Sequence, residues 1–304
     1  MRRRAFGNND VAAGLAGLIF FFYMGVGSSF GAAAPEEFEK GKVIEKVGCR
    51  GSADQSYALY LPSDFVPTVK RPVLYLFDPG ARGPVAVEQF LQAAEKYGWI
   101  LVASNNSRNG PWESNLKAAL AMFEDSSARL PVDETRIYAG GFSGGSRAAC
   151  VFPRVVNRRI AGIIGVGAGI SNTGTRPEDI GASSYFGIIG LADFNYPEMK
   201  RLDADLDGAK VPHRVLYYEA PHQWPDQETC GRAVGWMEIT AMKQGTRNRD
   251  EAVIDEMLGK ELENASALEA AGRTFWAARQ YEAVSQLFDG LRRRRRSGQD
   301  REDA

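Results

Sequence analysis

From Phe38 onward the chain alternates two hydrophobic patterns. Short continuous apolar runs, such as Val73-Leu74-Tyr75-Leu76-Phe77, predict strands buried on both faces. Segments with apolar residues on one side, such as Val87, Phe90, Leu91 and Ala94, predict helices. Strands are expected at 56–62, 73–77, 99–103, 136–139, 160–166, 185–189 and 214–218, the first ended by Pro62. A second amphipathic helix is expected over 116–130. Strands alternating with helices give an α/β fold, a mainly parallel sheet with helices on both faces. In such sheets the ligand site forms outside the carboxyl ends of the strands.

The pattern changes outside that region. Residues 1–34 carry Arg2-Arg3-Arg4, an apolar stretch from Leu15 to Val26, and the small residues Ala32-Ala33-Ala34. This is the layout of an export signal peptide, or of an N-terminal membrane anchor if it stays uncleaved. In either case the folded part is expected outside the cytoplasm, periplasmic or secreted. The alternating strands and helices are expected to form one α/β domain over residues 38–245. Residues 246–291 are patterned for helix only, with Leu268, Gly272, Phe275, Tyr281, Ala283 and Phe288 spaced as in a single tetratricopeptide repeat. Gly272 is read there as a point of close approach between two helices. One repeat does not bury its own faces, so it is expected to pack on the rest of the chain or on another protein. Arg292 to Arg296 and the charged end at 292–304 read as a solvated, disordered tail.

One stretch carries chemistry. The run Arg136-Ile137-Tyr138-Ala139 enters Gly141-Phe142-Ser143-Gly144-Gly145, and Ser146, Ala148 and Ala149 open a helix. Strand, sharp turn and helix are the setting of a nucleophile elbow. The serine there takes a strained backbone near the left-handed region, and a Cβ two residues to either side would collide with its neighbours. The amide of Gly144 points into the same space from a helix N-terminus.

A serine hydroxyl needs a base, and the chain has two histidines. His213 precedes the strand at 214–218, so it is expected at the opposite edge of the sheet as a solvated side chain. His222 follows that strand and is the candidate base. Asp193 follows the strand at 185–189 and lies between Ser143 and His222 in sequence, the place of a carboxylate that orients the imidazole. Asp203, Asp205 and Asp207 read as the exposed face of a helix, and Glu219 as a surface group. A second oxyanion amide belongs in the loop Asp78 to Gly83, from Ala81 or Arg82, with Ala81 the choice. Arg82 is also a candidate grip for an acidic group on the substrate. The loop from Ser104 to Trp112 contains Asn106, Arg108 and Trp112, either a substrate-binding rim for a sugar or phenol or an asparagine-rich turn. Trp224 is either a pocket wall or packing beneath the His222 loop.

These residues resemble the α/β-hydrolase superfamily over about 57–236. The stretch 132–145 is similar to the elbow region of secreted esterases of the polyhydroxybutyrate-depolymerase and feruloyl-esterase type. The resemblance implies Ser143 as nucleophile, Asp193 as acid and His222 as base. It further implies ester hydrolysis through an acyl-enzyme without a cofactor, on a small-molecule, polysaccharide or polyester substrate. Many such esterases carry His-Gly after the third strand, where this chain has Asp78-Pro79-Gly80.

Composition narrows the alternatives. A formal charge of −1 supplies no positive field for nucleic acid. Cys49, Cys150 and Cys230 have no metal-ligand spacing, and two histidines supply no zinc signature. In an oxidising compartment three cysteines allow one disulfide and one free thiol, with the pair left open. Two other readings stand beside the esterase: a serine peptidase on the same triad, and a degenerate hydrolase that binds a partner through its C-terminal helices.

Overall fold

The computed structural model describes residues 37–291. The readings placed on 1–34 and on 292–304 lie outside these residues. The elements run β1 (Val43–Cys49), β2 (Ser52–Tyr60), β3 (Arg71–Phe77), α1 (Gly83–Glu88), α2 (Leu91–Tyr97), β4 (Ile100–Ser104), α3 (Trp112–Arg129) and β5 (Val132–Phe142). They continue with α4 (Gly144–Val155), β6 (Gly162–Val166), β7 (Tyr185–Gly190), α5 (Tyr196–Gly208), β8 (His213–Tyr218), α6 (Gln227–Gln244), α7 (Glu251–Ala270) and α8 (Thr274–Phe288).

The eight strands form one sheet in the order β1-β2-β4-β3-β5-β6-β7-β8. β1 and β2 pair antiparallel, β2 meets β4 antiparallel, and every pairing from β4 to β8 is parallel. Strand β3 shows why the run at 73–77 is apolar throughout. Leu74 and Leu76 enter one core layer with Phe90, Trp99 and Trp236. Val73, Tyr75 and Phe77 enter the other with Met122, Phe152 and Leu202. A strand covered by helices on both faces has no polar side to show in its sequence.

Several local expectations change. β1 is an added strand at the sheet edge, half exposed along its length. The helix expected around residues 87–94 is two short helices, α1 and α2, broken at Gln89 and Phe90. Gly272 lies in the turn between α7 and α8 with φ +72°, and a Cβ built there meets nothing within 4 Å. It therefore serves the left-handed turn, not helix approach.

His213 and Asp203 also depart from the solvated roles expected for them. His213 does start β8 at the far edge, but its side chain is only 8% exposed and its Nε2 lies 3.3 Å from Asp203. Its Nδ1 is 2.8 Å from the Val211 carbonyl. Burial lowers the imidazole pKa, but the hydrogen bonds to Asp203 and the Val211 carbonyl and the charges of Asp203 and Asp207 together outweigh it, and the net direction is upward. Asp203 additionally accepts from the Tyr217 hydroxyl at 3.0 Å and from Arg279 at 3.2 Å. Helix α5 thus turns Asp203 inward, while Asp207 stays exposed.

The hairpin of α7 and α8 packs on the α/β body. Glu261 of α7 is 1% exposed and accepts from Arg214 of β8 at 2.7 Å and Arg232 of α6 at 3.0 Å. Gln280 of α8 joins the same cluster through Arg214, at 2.8 Å. Asp250 caps α7 by accepting from the Val253 amide at 3.2 Å. Among the described residues no helix is long and apolar enough to cross a membrane.

Candidate active site

The elbow is built by close approach of three backbones. Ser143 has φ +54° and ψ −120°, a conformation unusual for a residue with a side chain, and its amide donates to the Val166 carbonyl at 2.8 Å. A Cβ on Gly141 would lie 2.5 Å from the Gly145 carbonyl carbon and 2.6 Å from the Phe77 oxygen. A Cβ on Gly145 would lie 2.5 Å from the Phe77 carbonyl carbon. Both glycines are therefore required by the packing of β3, β5 and α4. Gly144 is the first residue of α4, where amides have no intrahelical carbonyl to bind.

Three strand ends bring the polar residues together. Ser143 follows β5, Asp193 follows β7 and His222 follows β8. His222 Nε2 lies 2.9 Å from Ser143 Oγ, and His222 Nδ1 lies 2.7 Å from Asp193 Oδ2. The second carboxylate oxygen of Asp193 accepts from the Asn195 amide at 2.8 Å, and the side chain is 2% exposed. Asn195 itself donates to the Gly167 carbonyl at 2.8 Å, which fixes the loop after β7. The imidazole makes tilted contacts with two rings, Phe142 at 4.6 Å and Phe194 at 4.2 Å between centroids. Phe142 is buried in the core, whereas Phe194 is 73% exposed.

The loop after β3 is organised by Asp78. This fully buried carboxylate accepts from the Gly80 amide at 2.8 Å, from Arg82 Nε at 2.8 Å and Nη2 at 3.0 Å, and from Trp224 Nε1 at 2.9 Å. Burial raises its pKa, but the Arg82 guanidinium and the Trp224 and Gly80 donors bring it below the usual carboxylate range. The amide of Ala81 donates to the Asp78 carbonyl at 3.1 Å, so in this conformation it is not an open oxyanion donor. Ala81 has φ +58°, which the Asp78 turn imposes. The Arg82 guanidinium is spent on Asp78 as well. Trp224 packs against Phe142 at 5.4 Å and Phe90 at 6.3 Å, beneath the loop that carries His222.

The loop between β4 and α3 divides by residue. Asn106 turns away from the site: its Oδ1 accepts from the Ser56 amide at 2.9 Å and its Nδ2 donates to the Asp54 carbonyl at 3.0 Å. Arg108 and Trp112 line a cleft of about 310 Å³ together with Asn109, Gly144, Arg147 and Asn172. Asn109 is the neighbour a Cβ on Gly144 would strike first. Asn109, Phe142, Phe194, Arg147 and Asn172 were not singled out from the sequence. Phe142 and Phe194 sit next to Ser143 and Asp193 in the chain, and that adjacency was the available signal. The three cysteines are buried and free. Burial pushes the Cys49 thiol up to about 11 and the Cys150 thiol up to about 12, which keeps both protonated.

The sheet order and the sharp strand-to-helix turn at Ser143 are those of an α/β-hydrolase fold. Solved structures share it. An esterase from the hyperthermophilic archaeon Pyrobaculum calidifontis aligns at a TM-score of 0.52 over 67% of this chain and 87% of that one, with 14% identity. Est1E from Butyrivibrio proteoclasticus aligns at 0.51 over 66% of this chain and 98% of that one, with 12% identity. No protein-family model and no curated protein matches the sequence. At these identities the likeness is one of fold.

Proposed function

We propose that the chain is a serine hydrolase that cleaves carboxylic esters through an acyl-enzyme on Ser143. The carrying observation is the unbroken hydrogen-bonded line from Asp193 through His222 to Ser143 Oγ, at 2.7 and 2.9 Å. Those lengths are within reach for proton transfer without rearrangement.

In the proposed cycle Ser143 Oγ attacks the ester carbonyl carbon as its proton passes to His222 Nε2. Asp193 stabilises the imidazolium through Nδ1–H. The carbonyl oxygen becomes an oxyanion and accepts from the Gly144 amide. The bond to the leaving oxygen breaks, and His222 returns the proton to the departing alcohol. Water then attacks the acyl-enzyme with His222 as base, which releases the acid and restores Ser143. The Phe142 and Phe194 rings pack against the imidazole, at 4.6 and 4.2 Å between centroids, and help hold it in place through both halves. No step calls for a cofactor. With residues 1–34 read as an export segment, the proposal places this reaction outside the cytoplasm.

The test is hydrolysis of a short-chain 4-nitrophenyl ester beside the matching 4-nitroanilide. The expected result is ester turnover that drops by about three orders of magnitude or more in Ser143→Ala and His222→Ala. Preferential cleavage of the anilide would instead favour a peptidase.

A further inference from the structure

The surroundings of Ser143 differ between His222 and Gly144. On the His222 side stands the exposed ring of Phe194. The cleft beside Gly144 is lined by Arg108, Arg147, Asn109, Asn172 and Trp112, and neither His222 nor Phe194 lines it. Two arginines line it and, among the described residues, no carboxylate does.

The two arginines are not equivalent. Arg147 is already engaged, by Glu198 at 2.6 Å and by the Ser171 carbonyl at 3.1 Å. The Arg108 guanidinium has no hydrogen-bond or ion-pair partner among the described residues. Only its backbone is held, by an amide bond to Asn115 Oδ1 at 2.8 Å and by the bridge between Arg108 and Gly80. The loop is therefore fixed while the charge it presents is unspent. Arg82 offers the contrast, since Asp78 neutralises it.

Which half of an ester enters this cleft follows from the chemistry. The leaving oxygen must take a proton from His222 Nε2, so the alcohol lies on the His222 and Phe194 side. The acyl substituent is left the side that His222 does not occupy, against Gly144 and the cleft. A volume of about 310 Å³ suits a short acyl chain, not a long fatty one.

We propose that the acyl half of the substrate carries an anionic group, a carboxylate a few atoms from the ester carbonyl, bound by Arg108 and flanked by Trp112. The substrate class is a hemiester of a short dicarboxylic acid or a similar acidic acyl ester. The assignment rests on the serine-hydrolase reading above and deepens it. An exposed guanidinium acts through charge-assisted hydrogen bonds that weaken as salt rises.

The experiment compares mono-(4-nitrophenyl) glutarate with 4-nitrophenyl pentanoate, its neutral counterpart of equal carbon count. Ser143→Ala is run in parallel to subtract self-hydrolysis of the hemiester. The expected result is a kcat/KM ratio of about ten or more in favour of the anionic ester, carried mainly by KM. In Arg108→Gln the ratio falls toward one, Arg108→Lys keeps part of it, and about 1 M salt narrows it in the wild type. A ratio at or below one in the wild type, or a preference untouched by Arg108→Gln, overturns the anion assignment and leaves the hydrolase reading standing. Absence of Ser143-dependent turnover of either ester overturns both.

Discussion

Trp224 Nε1 donates to the Asp78 carboxylate across 2.9 Å, joining residues 146 positions apart in the chain. The bond ties the loop that carries His222 to the loop that follows β3. A buried aspartate thus anchors both loops. Asp78→Ala removes the acceptor for Gly80, Arg82 and Trp224 together. The expected cost is about 1–3 kcal/mol in urea unfolding, with a fall in ester kcat/KM of about tenfold or more. Trp224→Phe keeps the ring contacts and loses the donor, so a smaller loss in both measurements is expected.

The elbow glycines give a second expectation. Gly145→Ala drives a methyl into the Phe77 backbone, which has nowhere to move because Phe77 is buried in β3. The variant is expected to unfold at lower temperature by several degrees and to lose ester turnover. Gly144→Ala meets the Asn109 side chain instead, which is exposed and free to rotate. Its melting temperature is expected to stay near the wild type while KM rises.

Acid lability is expected to centre on Glu261. Burial raises its pKa, but Arg214 and Arg232 outweigh burial and hold the carboxyl at about 2, against an ordinary 4.5. A depressed carboxylate contributes stability that is fully present above its unfolded value and lost as pH falls through its folded value. The window is therefore from about pH 4.5 down to about 2, and the contribution is about 3 kcal/mol. Thermal melts across this range are expected to decline steeply in the wild type. Glu261→Gln is expected to lower stability at pH 7, because buried Arg214 loses its countercharge, and to flatten the decline.

The parts of the fold legible in the sequence were those with one dominant local cause. Continuous apolar runs marked the central strands because both of their faces are covered, and the elbow was marked because backbone contact demands glycine at 141 and 145. β1 escaped because an exposed edge strand has a polar face and a mixed pattern. The inward turn of Asp203 escaped because its cause lies in Tyr217, Arg279 and His213, remote in sequence. The loop after β3 was the hardest to read. Whether the Ala81 amide is open depends on Asp78 folding the loop back on itself, a tertiary choice with no periodic signature.

The most direct measurement is the mass of the tryptic peptide spanning Ile137 to Arg147 after treatment with an alkyl phosphonofluoridate. An activated Ser143 Oγ displaces fluoride at phosphorus and retains the phosphonyl group. Fragment ions must distinguish Ser143 from Ser146, which is buried and donates to the Ala168 carbonyl at 2.6 Å. The expected result is one phosphonyl group on Ser143, absent in Ser143→Ala and strongly reduced in His222→Ala. An unmodified peptide, or labelling of Ser143 that is indifferent to His222, would contradict the proposed triad.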